Sequence, residues 1–432
     1  MTETSWRIND LEYFEAPGLA ALVFHNNYPE GKQGGIEIIQ HGERVASCGD
    51  LRLEPAPGQW APLPQMLRRE VDPQRQEARV EMRFPGLDYT VRMRAQGDAL
   101  RITVDLAQPL PPEWEGKVGF NLELYPPAFF GKTYFLGKQC GIFPRQANGP
   151  VLRGEDGQIH PIPLAKGMKL IVAPEDAQVH LEIEASNSLL TLYDGRDIAQ
   201  NGWFVVRSLA PAGTSQNAVE WVIRPHAQPG WQRKPVICVS QVGYHPDQQK
   251  RAVIELDPAT EAFSEATLRR INPDGGVELV LQARPEPWGR FLHYEYAIFD
   301  FTKVREPGMY MVQYGGVSSP PFKIDPYVYR TDVWQPTLET FLPVQMCHIE
   351  VRDRYQVWHG ACHLDDALQA PLNHEHFDGY RQYAETETPY PPLTHIPHLN
   401  RGGWHDAGDY DLAAGSQATT THVLVLAREA FG

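Results

Sequence analysis

From Ala78 to Leu106 apolar side chains take every second position through three consecutive runs. Ala78, Val80, Met82 and Phe84 alternate with charged residues. After Pro85-Gly86 come Tyr89, Val91 and Met93, and after Gly97-Asp98 come Leu100, Ile102, Val104 and Leu106. A period of two puts alternate side chains on opposite faces of a strand, so this stretch must form antiparallel strands with one face buried. The alternation returns at Val179, Leu181 and Ile183, and again at Val219, Trp221 and Ile223. Many such strands between Pro and Gly turns predict a large all-β sandwich over residues 1–232.

Residues 224–235 hold three prolines and a glycine in twelve positions and read as a linker. Strand signals resume at 237–239, 252–256, 294–299 and 309–314. They predict a second, small β-sandwich over 237–326, about 90 residues long. From Tyr327 the pattern changes. Leu338, Phe341, Leu342 and Met346 have helical spacing, as do Val423, Leu424, Ala427 and Phe431. Pro343 should kink the first of these patterns or mark its start. A polar stretch rich in Pro, His and Asp, 365–403, separates the two. The third segment, 327–432, is thus expected to be helical around a long loop.

Composition removes several functions. The charge sum of 39 basic and 54 acidic residues is −15, a poor complement to a phosphate backbone, so no nucleic-acid partner is expected. Apolar runs fall far short of the ~18 residues of a membrane helix, so none is expected to cross a membrane. The phosphate loop GxxxxGK[ST] is absent. The first residues show neither a basic nor an apolar leader region, and five cysteines are an odd, sparse set. Both point to a reducing compartment, the cytoplasm. A leader ahead of a wrongly placed start would reverse that to secretion.

The chemistry concentrates at the C-terminal end. Nine of the sixteen histidines lie between His348 and His422. The run Gly402-Gly-Trp-His-Asp-Ala-Gly-Asp-Tyr410 sets Asp406 and Asp409 three apart around a small Ala-Gly pair. Two carboxylates sharing a site can orient and deprotonate one water, each raising the basicity of the other. The alternatives are a helix cap and a calcium loop. The spacing of Asp406, Asp409 and Asp411 misses that of an EF-hand, and no calcium assignment is made.

Cys347, Cys362, His363 and His405 offer two thiols and two imidazoles, the donor set of tetrahedral zinc. Fourteen residues separate the cysteines and forty-one the histidines, which is not a zinc-finger spacing. Buried cysteines with solvated histidines are the plain alternative. His359, His374, His376, His395 and His398 compete as ligands. Zinc at His405 would steady the loop that carries Asp406.

GGWHDAGDY resembles the signature of glycoside hydrolase family 9, the inverting β-glucanases of cellulase type. VQMCHIE and HGACHLDD, upstream of it, are similar to that family's zinc-ligand segments. VSQVGYHPDQQKRAV, at 239–253, resembles the opening strand of the immunoglobulin-like domain that precedes many family 9 catalytic domains. Gly308-Met-Tyr, Gly315 and Phe322-Lys-Ile resemble its closing strands. The resemblance spans about 237–432.

It implies three parts: a large β-sandwich of unknown role over 1–232, an immunoglobulin-like domain over 237–326, and the first helices of an (α/α)6 catalytic barrel over 327–432. It implies Asp409 as general base and Asp406 as the carboxylate that helps hold the water. Cys347, Cys362, His363 and His405 would ligate a structural zinc. The substrate class is β-1,4-linked glucan or a related β-linked oligosaccharide, hydrolysed with inversion. The family's general acid is a glutamate near the end of the catalytic domain, and only 106 residues follow Pro326. The expectation is therefore an incomplete barrel whose acid, and whose remaining C-terminal part, lie outside this chain. An exo-acting, glucosaminidase-like member of the family is the near alternative. A non-catalytic carbohydrate-binding or scaffold protein is the distant one, and a zinc hydrolase with an open metal position is a third. Tyr125, Phe129, Phe130, Tyr134 and Phe135, and separately Trp288, are candidates for a sugar platform or for core.

Overall fold

The computed structural model describes residues 5–28, 33–55, 62–84, 86–147, 150–153, 159–196, 202–260, 263–330, 333–336, 345–347, 350–353, 356–359, 362–364, 368–371, 389–399, 402–406 and 411–431. The chain divides into two units, Met1–Arg233 and Lys234–Gly432.

The first unit is built on two nine-stranded antiparallel sheets. The centre of one is Glu43–Arg52, Gly119–Leu124 and Phe204–Leu209. The centre of the other is Leu181–Ala185, Val219–Pro225, Ala99–Leu106 and Leu87–Gln96. The period-two residues face one core: Val80, Phe84, Val91, Met93, Leu100, Ile102 and Val104 are all buried. They line up in register, Val80 opposite Val91 and Val91 opposite Val104, so one apolar stripe crosses three strands. Trp221 is fully buried, stacks edge-on against Phe120 of the other sheet at 5.0 Å and donates its indole N–H to Ser208 Oγ at 2.9 Å. The strands Gln33–Gln40 and Glu43–Arg52 come so close that a Cβ on Gly35 would lie 2.6 Å from the Gly49 carbonyl. Gly35 also has a φ of +61°, so any side chain there would be strained as well as crowded.

The inner strands of the first sheet also bury polar side chains. Arg207 donates to the carbonyls of Glu54 (2.8 Å) and Lys117 and to Asn121 Oδ1 (2.6 Å). Burial lowers its pKa to about 10. Asp50 accepts from Arg52 Nη1 (3.0 Å) and from the Tyr89 hydroxyl (2.8 Å), and burial raises its carboxyl above the usual range. Such bonds link the central strands, and through Tyr89 the second sheet, because each group would be costly if left unmet.

Residues 224–235 read from sequence as a linker, and the boundary between the two units falls inside them after Arg233, but the stretch as far as Trp231 is fixed to the first unit. Val219–Pro225 is a strand, and the chain beyond it bonds and stacks onto neighbouring turns as far as Trp231. The prolines end the strand but do not free the backbone, because side chains of the segment find partners on the sandwich.

In the second unit a four-stranded sheet, Val236–Cys238, Arg251–Leu256, Tyr294–Asp300 and Glu286–Phe291, faces a sheet centred on Ala266–Ile271 and Gly308–Tyr314. Ile254, Leu268, Phe299, Phe301, Tyr310, Val312 and Phe322 form the core between them. Tyr244 packs edge-on against Phe301 and Phe322 and donates its hydroxyl proton to the Arg251 carbonyl at 2.9 Å.

The expected barrel helices are not what the described residues show. The described residues are mostly β. Over 327–432 the described residues hold two helical residues, Gln335 and Pro336, a hairpin, Val351–Asp353 with Gln356–His359, and one long helix, Ala414–Phe431. Leu338, Phe341 and Leu342 lie outside the described residues. Met346, the last member of that helical pattern, is instead bridged antiparallel to Trp404. At Met346, the only described member of the pattern, cross-strand hydrogen bonds on both sides hold a bridge rather than a helix. The second pattern does form a helix, yet Val423, Val425 and Leu426 on it are about half exposed.

Candidate metal centre and acidic loop

Two antiparallel segments bring the candidate ligands together. The Cys347 amide donates to the Gly403 carbonyl at 2.9 Å and the His405 amide to the Gln345 carbonyl at 2.7 Å, either side of the Met346–Trp404 bridge. This pairing sets Cys347 and His405, 58 positions apart in the chain, on neighbouring antiparallel segments. Cys362 and His363 arrive from the segment after the hairpin, with His363 in the left-handed region at φ 57°.

The ligand atoms of Cys347, Cys362, His363 and His405 all lie within 4.8 Å of one another. The two sulfurs are 3.6 Å apart, too far for a disulfide. Cys362 Sγ lies 3.3 Å from His405 Nε2, and the His363 and His405 rings are 5.5 Å apart. In a tetrahedral zinc shell the corresponding S–S and S–N edges are about 3.8 and 3.6 Å, from bond lengths of about 2.3 and 2.05 Å. The donor chemistry and the spacing therefore fit a divalent, thiophilic ion. Cys347 is fully buried, and His405 nearly so. Among the described residues this is the one cluster of three or more such donors that could hold a metal ion. Of the competing histidines, His395 and His398 are exposed; His374 and His376 lie outside the described residues, and so does the His359 side chain.

The loop after His405 is braced from both ends. Trp404 donates its amide to Gln417 Oε1 at 2.8 Å, and Gln417 Nε2 returns a bond to the Trp404 carbonyl at 2.5 Å. Asp406 donates its amide to the Asp411 carbonyl at 2.9 Å and accepts the Ser416 hydroxyl at Oδ1. Asp406 is exposed. Asp409 lies outside the described residues. Ser416 and Gln417 escaped the sequence reading. They sit in the first turn of the helix, where Ser and Gln are ordinary residues, and nothing local marks them as partners of a loop ten positions upstream.

Of the aromatic candidates, Phe129 and Tyr134 are buried among Phe143 and Phe204, the core alternative. Tyr125 and Phe135 are partly exposed. Trp288 is 59 % exposed and meets Tyr296 edge-on at 5.9 Å.

A model of the cellulase N-terminal immunoglobulin-like domain matches residues 232–319. That part of the second unit is therefore a cellulase-type immunoglobulin-like domain, and the resemblance to glycoside hydrolase family 9 with such a domain in front is borne out to that extent. Among solved structures, a metagenome-derived glycoside hydrolase family 9 endoglucanase is 28 % identical over 41 % of this chain and 30 % of its own, with a TM-score of 0.32. A family 9 protein of Bacteroides ovatus is 23 % identical over 40 % and 28 %, with a TM-score of 0.29. A Zn-binding triple mutant of a family 9 endoglucanase is 28 % identical over 38 % and 27 %, with a TM-score of 0.29. The chain thus spans less than a third of the length of each. No curated protein matches it.

Proposed function

We propose that the chain is the base-bearing part of an inverting β-glycosidase of family 9 type, acting on β-1,4-linked glucan or a related β-linked oligosaccharide. One observation carries the reading. Behind a cellulase-type immunoglobulin-like domain, a Cys2His2 cluster stands at the root of a loop whose next residue is Asp406.

Asp409 acts as general base, taking a proton from the water that attacks the anomeric carbon. Asp406 holds that water's other side, and its own carboxylate is oriented by Ser416. The proton donor to the leaving sugar would stand about 6.5–9.5 Å away, and that role is assigned to no residue of this chain. Cys347, Cys362, His363 and His405 would hold a zinc ion, which when bound supplies a rigid four-way tie. Four protein donors complete a tetrahedron, leaving no open position for a metal-bound water, so a zinc hydrolase is the weaker reading. The tie and the Gln417 brace fix the loop from opposite sides, which is the pre-organisation that proton transfer needs.

The chain alone is expected not to turn over an unactivated cello-oligosaccharide, because no proton donor is assigned in it. The test is therefore hydrolysis of a dinitrophenyl β-cello-oligosaccharide, whose leaving group needs no proton, with the first product's anomer read by NMR. Release of the α-anomer, slowed about 10²–10⁴-fold by Asp409→Asn, supports the reading. The β-anomer, a rate indifferent to the substitution, or the absence of both turnover and binding would overturn it.

A further inference from the structure

The first unit ends in a segment, 226–233, that is fastened by histidines. The His226 amide donates to the His180 carbonyl at 3.0 Å, and the two imidazoles stack at 5.4 Å with their planes 29° apart. Gln228 Nε2 donates to the Ala177 carbonyl at 3.0 Å. Trp231 lies 5.3 Å from the ring of His41, and both rings press on Gly18, where a Cβ would sit 2.8 Å from His41 Cδ2 and 3.0 Å from Trp231. Gln40 ties the cluster together by donating to the His180 carbonyl at 2.8 Å.

The protonation state of His41 can be read from its partner. Its Nδ1 lies 2.8 Å from the Gln178 carbonyl, which can only accept, so Nδ1 carries the hydrogen. Its Nε2 is buried with no hydrogen-bond partner, and so is that of His180. A second proton on His41 Nε2 would place a charged N–H where no partner accepts it, and one on His180 Nε2 would meet only the Glu182 carboxylate, 3.8 Å away and already paired with Lys169. Stacked against His180, a charged His226 adds repulsion.

We propose that His41, His180 and His226 form a proton-operated latch that holds 226–233 against the first unit while the imidazoles are neutral and releases it in acid. Burial and the neighbouring His226 push the pKa of both His41 and His180 below the usual histidine range. The acids facing the cluster are already engaged. Asp176 is 2.6 Å from Lys132, and Glu175 is bonded to Thr133. Glu182 is 2.8 Å from Lys169 and 3.8 Å from His180 Nε2. Arg233 adds a positive charge beside Gly42. An imidazolium gains attraction from an indole face, but the two rings meet at 59°, short of a face-on approach. Because the docked values are depressed, docking is fully supported above the ordinary histidine pKa of about 6.5 and weakens as pH falls below it.

Hydrogen exchange of the whole chain, corrected for the intrinsic pH dependence, tests the latch at about pH 8 and about pH 5. The expected result is an opening of the 226–231 amides that rises about tenfold or more in acid, while the strand Val219–Pro225 keeps its protection. His180→Gln and His41→Gln, which keep a donor but cannot titrate, should flatten that rise. Equal protection of 226–231 at both pH values, or a loss shared by Val219–Pro225, would overturn the proposal, and the native chain alone decides this even where a variant folds poorly.

Discussion

Cys347 has no solvent exposure, and its sulfur lies 3.6 Å from Cys362, yet the two are unbridged. A pair of close thiols, one fully buried, with two imidazoles in reach is stable as a metal shell, because ligation removes both thiol protons and gives each donor atom a partner. The chain is expected to retain about one zinc per molecule through dialysis, and Cys362→Ser to weaken its binding more than about 100-fold in a chelator competition. A native chain that releases all metal to a weak chelator would contradict this. The residue types of this site were visible in the sequence, but their partnership was not. Cys347 and His405 meet only because strand pairing closes a loop of 57 residues between them, and seven other histidines were equally eligible by composition. Arg207 was harder still, since nothing in a strand reading FVVRSL marks its arginine as the donor that closes three acceptors across the sheet.

Strands were the legible elements because the period of two is both a local pattern and a statement about burial. Trp221 shows the consequence: its alternation with Val219 and Ile223 announced an inward face, and it lies fully buried with its N–H met. Trp221→Ala is expected to cost about 3–5 kcal/mol in urea unfolding, from lost packing and the cavity left against Phe120. A cost below about 1 kcal/mol would mean that the two sheets are not pressed together there. Of the helical pattern at 338–346 only Met346 is among the described residues; there cross-strand hydrogen bonds on both sides outweigh a short apolar spacing, while Gln335 and Pro336 just ahead of the pattern are helical. The proline-rich stretch 224–235 does contain the boundary between the two units, but its first residues pack on the first unit. Prolines report that a strand ends, not whether the chain beyond it finds something to pack on.

The molecule holds two separate apolar cores, one within Met1–Arg233 and one within Lys234–Gly432. Cooperativity extends as far as a contiguous core, so calorimetry of the whole chain is expected to resolve at least two unfolding transitions. Removal of Lys234–Gly432 should leave the first transition in place. A single two-state transition for the whole chain would show that the cores are energetically one.

The sequence by itself determined the β character of most of the chain, the inward face of each strand, and the residue types gathered at the C-terminal end. Those follow from side-chain periodicity and composition, which are local. Tertiary structure alone decided which cysteines and histidines converge, how Ser416 and Gln417 brace the acidic loop, and that 226–233 is bound rather than free. Each of these depends on contacts between residues far apart in the chain, and no local pattern encodes the register that makes them neighbours.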